Sequence, residues 1–285
     1  METGIKTSKK PKLLDNNVFN GVAIPVAIVL VGALIIFGVT KILSSERNYK
    51  DLVREVQSKT FGNRWVAAFE LAKILSANRI PESEIPWLIE NLNEVYQSKP
   101  DPRTREFIIV SLASIKHPKV SDILFEAVKD ESDIIKFRAV MGLGNQSDIT
   151  SPKWSDVEQY LTSSDYALRQ ASALTLMTHR VSSAEPKVVH LLSDQERVVR
   201  YSAALGLINF KNDKALDLLK EILVLSPSNE GFDQREVSGL KLSLIGALRK
   251  NQWNVLNAEL AKQSEVEPDI QVKAAMQEAL IQLKN

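Results

Sequence analysis

The sequence predicts an all-α fold, an α-solenoid of stacked helix pairs, preceded by a single transmembrane helix. Three observations carry the prediction. The 285 residues include only 11 glycines, 11 prolines and 6% aromatics, with 44% apolar residues, which is helix-forming stock with few strand signals and enough chain for a core. One stretch of twenty residues carries no charge. Finally, one arrangement of basic, small and apolar residues returns seven times along the rest of the chain.

The organisation reads in four parts: a basic tail at 1–20, a transmembrane helix at 21–40, a juxtamembrane amphipathic helix or linker at 41–59, and a repeat domain at 60–285. The tail carries Lys6, Lys9, Lys10 and Lys12 against Glu2 and Asp15. The following run, GVAIPVAIVLVGALIIFGVT, spans roughly 30 Å as a helix, the thickness of a bilayer's hydrocarbon core. Its apolarity goes all the way round, unlike the stripe of a helix on a core. A cleaved signal peptide has a shorter apolar core and a small-x-small site, so an uncleaved anchor fits better. Ala23, Ala27, Gly32 and Gly38 are the small positions at which a neighbouring helix would pack. Lysines and arginines nearly balance across the span. The denser KTSKKPK cluster favours a cytoplasmic amino terminus and places the repeat domain outside, in the periplasm if the membrane is a bacterial inner membrane. Past the span, Tyr49, Leu52, Val53 and Val56 have the spacing of a short amphipathic helix.

The repeats are marked by a basic residue in a fixed setting: Arg64, Arg105, Lys136, Arg169, Arg200, Arg235 and Lys273. The middle steps, from 105 to 136, 169 and 200, are 31, 33 and 31 residues. Five residues after the basic one comes Phe69, Val110, Met141, Leu174, Leu205 or Leu240; seven after comes Leu71, Leu112, Leu143, Leu176, Leu207 or Leu242. A second helix is expected in each unit, at 84–96, 119–130, 153–161, 184–194, 214–223 and 252–263. Helix pairs at a fixed period mean a solenoid. Small residues such as Ala171, Ser202 and Ala203 would let the first helices approach closely. The basic residues are expected to form a structural ladder, each meeting an acidic residue of a neighbouring turn such as Asp133, Asp165 or Asp194 and locking one repeat to the next.

With the residues Asp194, Val199, Arg200, Ala203, Ala204 and Leu205, the chain resembles the short bacterial HEAT-like repeats also found in phycobilin lyase-related proteins. The resemblance covers about residues 60–283. It implies an armadillo-like superhelix that binds other proteins. Its lyase-related members raise a cofactor-handling alternative, but a fold does not transfer an activity.

Chemistry is hard to place on this chain. It has no cysteine, which excludes disulfides, thiolate metal sites and thiol catalysis. The three histidines, His117, His179 and His190, fall in different elements without metal-ligand spacing. Gly142 and Gly144 lack the third glycine and the strand of a dinucleotide loop and read as a helix end. Past residue 40 the chain has 32 basic and 33 acidic residues, without the basic excess of a nucleic-acid binder. The expectation is therefore no catalytic residue, no cofactor, no metal and no nucleic acid, hence not an enzyme.

Partners are instead the lipid bilayer, through 21–40, and a protein. The aromatics Trp87, Tyr96, Trp154, Tyr160 and Trp253, on or beside second helices, are the candidate protein contacts, each with the alternative of plugging the core. The long segment Val224 to Gln234 and the shorter one at 145–153 interrupt the period, as functional loops and neutral insertions both do. The expected role is a single-pass membrane scaffold or adaptor, in its narrower form an accessory subunit of a membrane complex such as a respiratory assembly. The alternative is a cofactor-handling protein of the phycobilin lyase type.

Overall fold

The structure is a computed structural model that describes residues 48–58, 64–147, 149, 152–228 and 231–283. It is all helical over these residues, and the compact body runs from Tyr49 onward. The expected span at 21–40, with its packing positions Ala23, Ala27, Gly32 and Gly38, lies outside the described residues, as does the tail before it. Among the described residues no helix is long and apolar enough to cross a membrane.

Fourteen α-helices are described, in chain order: α1 (Tyr49–Gln57), α2 (Arg64–Ser76), α3 (Ile85–Gln97), α4 (Pro102–Ala113), α5 (Pro118–Ala127), α6 (Asp133–Gly144) and α7 (Ser155–Glu158), then α8 (Tyr166–Thr178), α9 (Glu185–His190), α10 (Arg197–Leu207), α11 (Leu216–Val224), α12 (Gln234–Lys250), α13 (Asn257–Val266) and α14 (Ile270–Gln282). Even-numbered helices stack on one another as one layer and odd-numbered helices line the other. The second helices expected at 153–161 and 184–194 are shorter α-helices, α7 and α9, each finished by a 3-10 turn.

Local sequence explains the helix starts. Asp101, Asp165 and Asp269 accept hydrogen bonds from amides of the first turns of α4, α8 and α14, and Asp233 closes a capping box with Glu236 at α12. These contacts satisfy donors that a helix start otherwise leaves open. Four even-numbered helices end with a non-glycine residue at positive φ, near +50°, namely Asn78, Arg180, Lys211 and Gln252. The amides of Val181, Asn212 and Trp253 then reach back to the carbonyls of Leu176, Leu207 and Leu248, so the chain turns into the second helix the same way each time.

The core follows the repeat register. Leu71, Leu112, Leu143, Leu176 and Leu207, seven residues past the basic position, are fully buried. Small residues set the spacing of the stack. A Cβ on Gly142 would lie 2.8 Å from the Cβ of Ala113, and one on Gly206 2.8 Å from the Cβ of Met177.

Two expectations need correction. Leu52, Val53 and Val56 of α1 are buried against α2 and α3, so the helix expected as a juxtamembrane linker is the first layer of the solenoid. In α12, the buried apolar residues are Val237, Leu244, Ile245 and Leu248, whereas Leu240 and Leu242 are half-buried. The capping box at Asp233 places the turn-of-helix position taken by Arg169 in α8 at Val237, two residues past Arg235.

Candidate protein-binding surface

Arg105, Lys136, Arg169, Arg200 and Lys273 sit four residues past the helix cap, on the first turn, and in α4 and α8 the arginine does two jobs there. In α8, Nη1 of Arg169 donates to the carbonyls of Ser163 and Ser164, 2.7 and 3.1 Å away, tying down the turn before the helix. Its Nε and Nη2 then form a two-pronged contact, both at 2.8 Å, with the carboxylate of Asp194 in the turn leading to α10. Arg105 of α4 does the same, donating to Pro100 and to both oxygens of Asp130. Asp130 also accepts from the hydroxyl of Tyr96 and the amide of Ser132. The Arg105 and Asp130 side chains are 6% and 8% exposed. Burial raises the Asp130 pKa, but the bonds from Ser132, Arg105 and Tyr96 outweigh it and hold the carboxyl below its usual range. Asp194 is lowered chiefly by Arg169, against a burial effect that raises it.

The ladder is not continuous, and the reasons are local. Lys136 bonds Asp133 of its own helix at 2.7 Å; a single ammonium lacks the fork that serves both turn and carboxylate. Arg200 makes the turn contacts, with the carbonyls of Asp194 and Gln195. The place of its carboxylate, 25 residues on, falls to Leu225, and the ring of Phe232 from the same long segment stacks on Tyr201. Arg235 is exposed because of the register shift in α12. The buried rung there is Lys241 to Glu267 at 2.6 Å. Arg64 donates to the carbonyl of Val56, joining α2 to α1. Lys273 has no ion pair among the described residues.

A second ladder, not anticipated from the sequence, runs along the opposite ends of the even-numbered helices. Gln146 donates to the carbonyls of Ala113 and Ile115, and Asn209 to that of Met177. His179 Nε2 lies 2.8 Å from the carbonyl of Leu143 and so carries the proton. Asn251 donates to Asn209 and accepts from Arg180. Gln146, His179 and Asn209 satisfy carbonyls that end the preceding repeat, and Asn251 extends the ladder through the Asn209 side chain. The available signal was a polar residue two or three places after each buried leucine.

The aromatic candidates divide. Tyr96 and Trp253 are buried and do not form a surface. Trp154 packs edge-on to Phe125 and stacks on His179, and the hydroxyl of Tyr160 donates to the carbonyl of Val128. These four are structural because each fills or bridges a junction between repeats. Trp87 alone stays open, at 37% exposure, with Lys50 over its ring.

The even-numbered layer supplies a surface instead. The position five past each basic residue points outward, so Phe69, Val110, Met141, Leu174 and Leu205 form a partly exposed apolar stripe. Met141 is 46% exposed and lies in a groove of about 560 Å³ across α4, α6 and α8. Val110 and Leu174 form its walls, and Gly142 and Gly144 lie along it. Arg138 stands beside it, bonded to Glu106. Lys73 and Arg103 sit over the rings of Phe69 and Trp65 at the near end of the stripe. Among the described residues no cluster of histidine, aspartate and glutamate has metal-binding geometry.

The family model for HEAT repeats matches residues 155–231. A crystal structure of the Escherichia coli protein YibA is similar at 18% identity, over 83% of this chain and 82% of that one, with a TM-score of 0.53. A designed armadillo repeat protein in complex with the peptide (KR)4 is similar at 16% identity, over 82% of this chain and 98% of that one, with a TM-score of 0.45. No curated protein matches the chain. The described residues form an all-α solenoid of stacked helix pairs, of which residues 155–231 match the HEAT-repeat model.

Proposed function

We propose that this chain is a membrane-tethered scaffold that holds a partner protein against its even-numbered helix layer, without chemistry of its own. The observation that carries the reading is the apolar groove around Met141, with Arg138 beside it. Solenoids bind through extended, repeat-built surfaces, and a partly exposed apolar groove edged by an arginine suits a partner segment with apolar anchors and an acidic residue. The tether rests on the charge-free run at 21–40.

Gentle detergent extraction, followed by mass spectrometry of co-purifying proteins, tests the binding. The wild-type chain should retain a partner that Met141→Glu loses at unchanged melting temperature. Recovery of the free chain alone, or equal retention by both, overturns it. A coloured cofactor in the purified material would favour the cofactor-handling alternative. Resistance to alkaline carbonate extraction tests the tether, and release into the soluble fraction refutes it. Protease protection then reads the orientation, for which a periplasmic repeat domain is the proposal.

A further inference from the structure

We infer that the pocket between the helix pair α2–α3 and the pair α4–α5 binds a small zwitterion with an apolar body, the chemistry of an aliphatic amino acid or dipeptide. Later junctions carry two side-chain bridges that this one lacks. The first is the polar residue after the buried leucine. Gln146 and His179 stand three places past Leu143 and Leu176 and meet carbonyls of the preceding repeat. Three places past Leu112 stands Ile115, buried and unable to make such a bond. The second bridge joins the starts of consecutive odd-numbered helices. Asn212 caps the turn into α11, accepting from the amide of Lys214, and donates to Glu185 of the preceding repeat at 2.8 Å. His117 caps α5 in the same way, accepting from the amide of Lys119. Glu185 lies four places past the capping residue Val181, but four places past the corresponding Pro81 lies Ile85, which offers His117 no carboxylate.

A pocket of about 540 Å³ opens at this junction, within the size range of small-molecule sites. Leu75, Ile85 and Ile115 give it an apolar floor. Its charges stand on opposite walls. Glu82 comes from the turn into α3, whereas Lys116 and His117 come from the turn between α4 and α5. Neither Glu82 nor Lys116 has an ion pair among the described residues, so the two do not meet each other. Because Nδ1 of His117 accepts a bond, Nε2 carries the proton and is a donor. A ligand with one ammonium and one carboxylate completes both walls at once. Its ammonium meets Glu82, its carboxylate meets Lys116 and His117, and its side chain covers the floor. Charge-assisted bonds are the stronger ones, and apolar burial adds to them. A ligand of one charge would complete only one wall.

Calorimetric titration of the full chain in detergent, with leucine and leucyl-leucine as probes, tests the site. Both should bind saturably. Leucyl-leucine fills more of the pocket and should bind more tightly; the reverse order would support the zwitterion and name the free amino acid as the ligand. N-acetyl-leucine, which has no ammonium, should bind at least tenfold more weakly than leucine. Glu82→Gln should weaken leucyl-leucine by a similar factor and cost N-acetyl-leucine nothing further, whereas Lys116→Gln should weaken both. Glu82 and Lys116 are exposed, so the melting temperature should not change in either variant. Ile85→Glu, which restores the carboxylate for His117, should close the pocket and abolish binding. Absence of saturable binding by either probe overturns the inference. So does equal binding of N-acetyl-leucine amide, which carries neither charge, or binding indifferent to both Glu82→Gln and Lys116→Gln.

Discussion

Replacing Arg105 by Met tests whether the buried clamps hold the repeats together. The substitution keeps most of the side chain's length but leaves the Asp130 carboxylate, 8% exposed, with only the Tyr96 hydroxyl and the Ser132 amide. It also frees the carbonyl of Pro100. Stranding one member of a buried ion pair costs about 3–5 kcal/mol, which for a domain of this size lowers the melting temperature by about 10 °C. Thermal and urea unfolding followed by circular dichroism measure it. Arg200→Met, which loses only two bonds to backbone carbonyls, should cost about 1–2 kcal/mol. Adding Asp130→Asn to Arg105→Met should recover part of the loss, with a coupling on the order of 2 kcal/mol. A loss below about 1 kcal/mol for Arg105→Met, the worth of an exposed pair, would refute the clamp. Equal losses at Arg105 and Arg200 would show that the carbonyl contacts, rather than the carboxylate, do the locking.

Three further outcomes follow from the same contacts. Asp130 and Asp194 are held below the usual carboxylate range in the folded state. Their contribution is complete above the unfolded value of about 3.9 and is lost as pH falls through the lower folded values. Stability measured against pH should therefore stay flat from neutrality to about pH 5 in this respect and decline below about pH 4, less so in Arg169→Met, which removes the main cause at Asp194. Gly206→Ala places a Cβ 2.8 Å from the Met177 Cβ; the overpacking cost of about 1–3 kcal/mol exceeds the gain of about 0.5–1 kcal/mol from a better helix former, so unfolding should show a net loss, and a stabilised variant would contradict the close approach. Ala204→Leu, at a fully buried stacking position, should likewise lose about 1–3 kcal/mol.

The sequence by itself determined the helical class and the repeat register. Helix pairs at a near-constant period must stack, and a leucine at one register position must be buried, so Leu71 through Leu207 could be placed in the core without coordinates. The polar residues that follow each buried leucine were visible as letters but not as a ladder. Gln146 and His179 gain meaning only when the carbonyls ending the preceding repeat, more than thirty residues earlier, lie within reach. Tertiary structure also decided which clamps close. Arg169 and Arg200 have the same local setting, and they differ only in what arrives 25 residues later, Asp194 in one case and the long segment with Phe232 in the other. The same holds for the surface. Periodicity cannot distinguish an aromatic that plugs a junction from one that faces solvent, because both occupy apolar positions of a helix. Neighbouring helices bury Tyr96 and Trp253 and leave Met141 open, since burial belongs to the stack and not to any one turn of it.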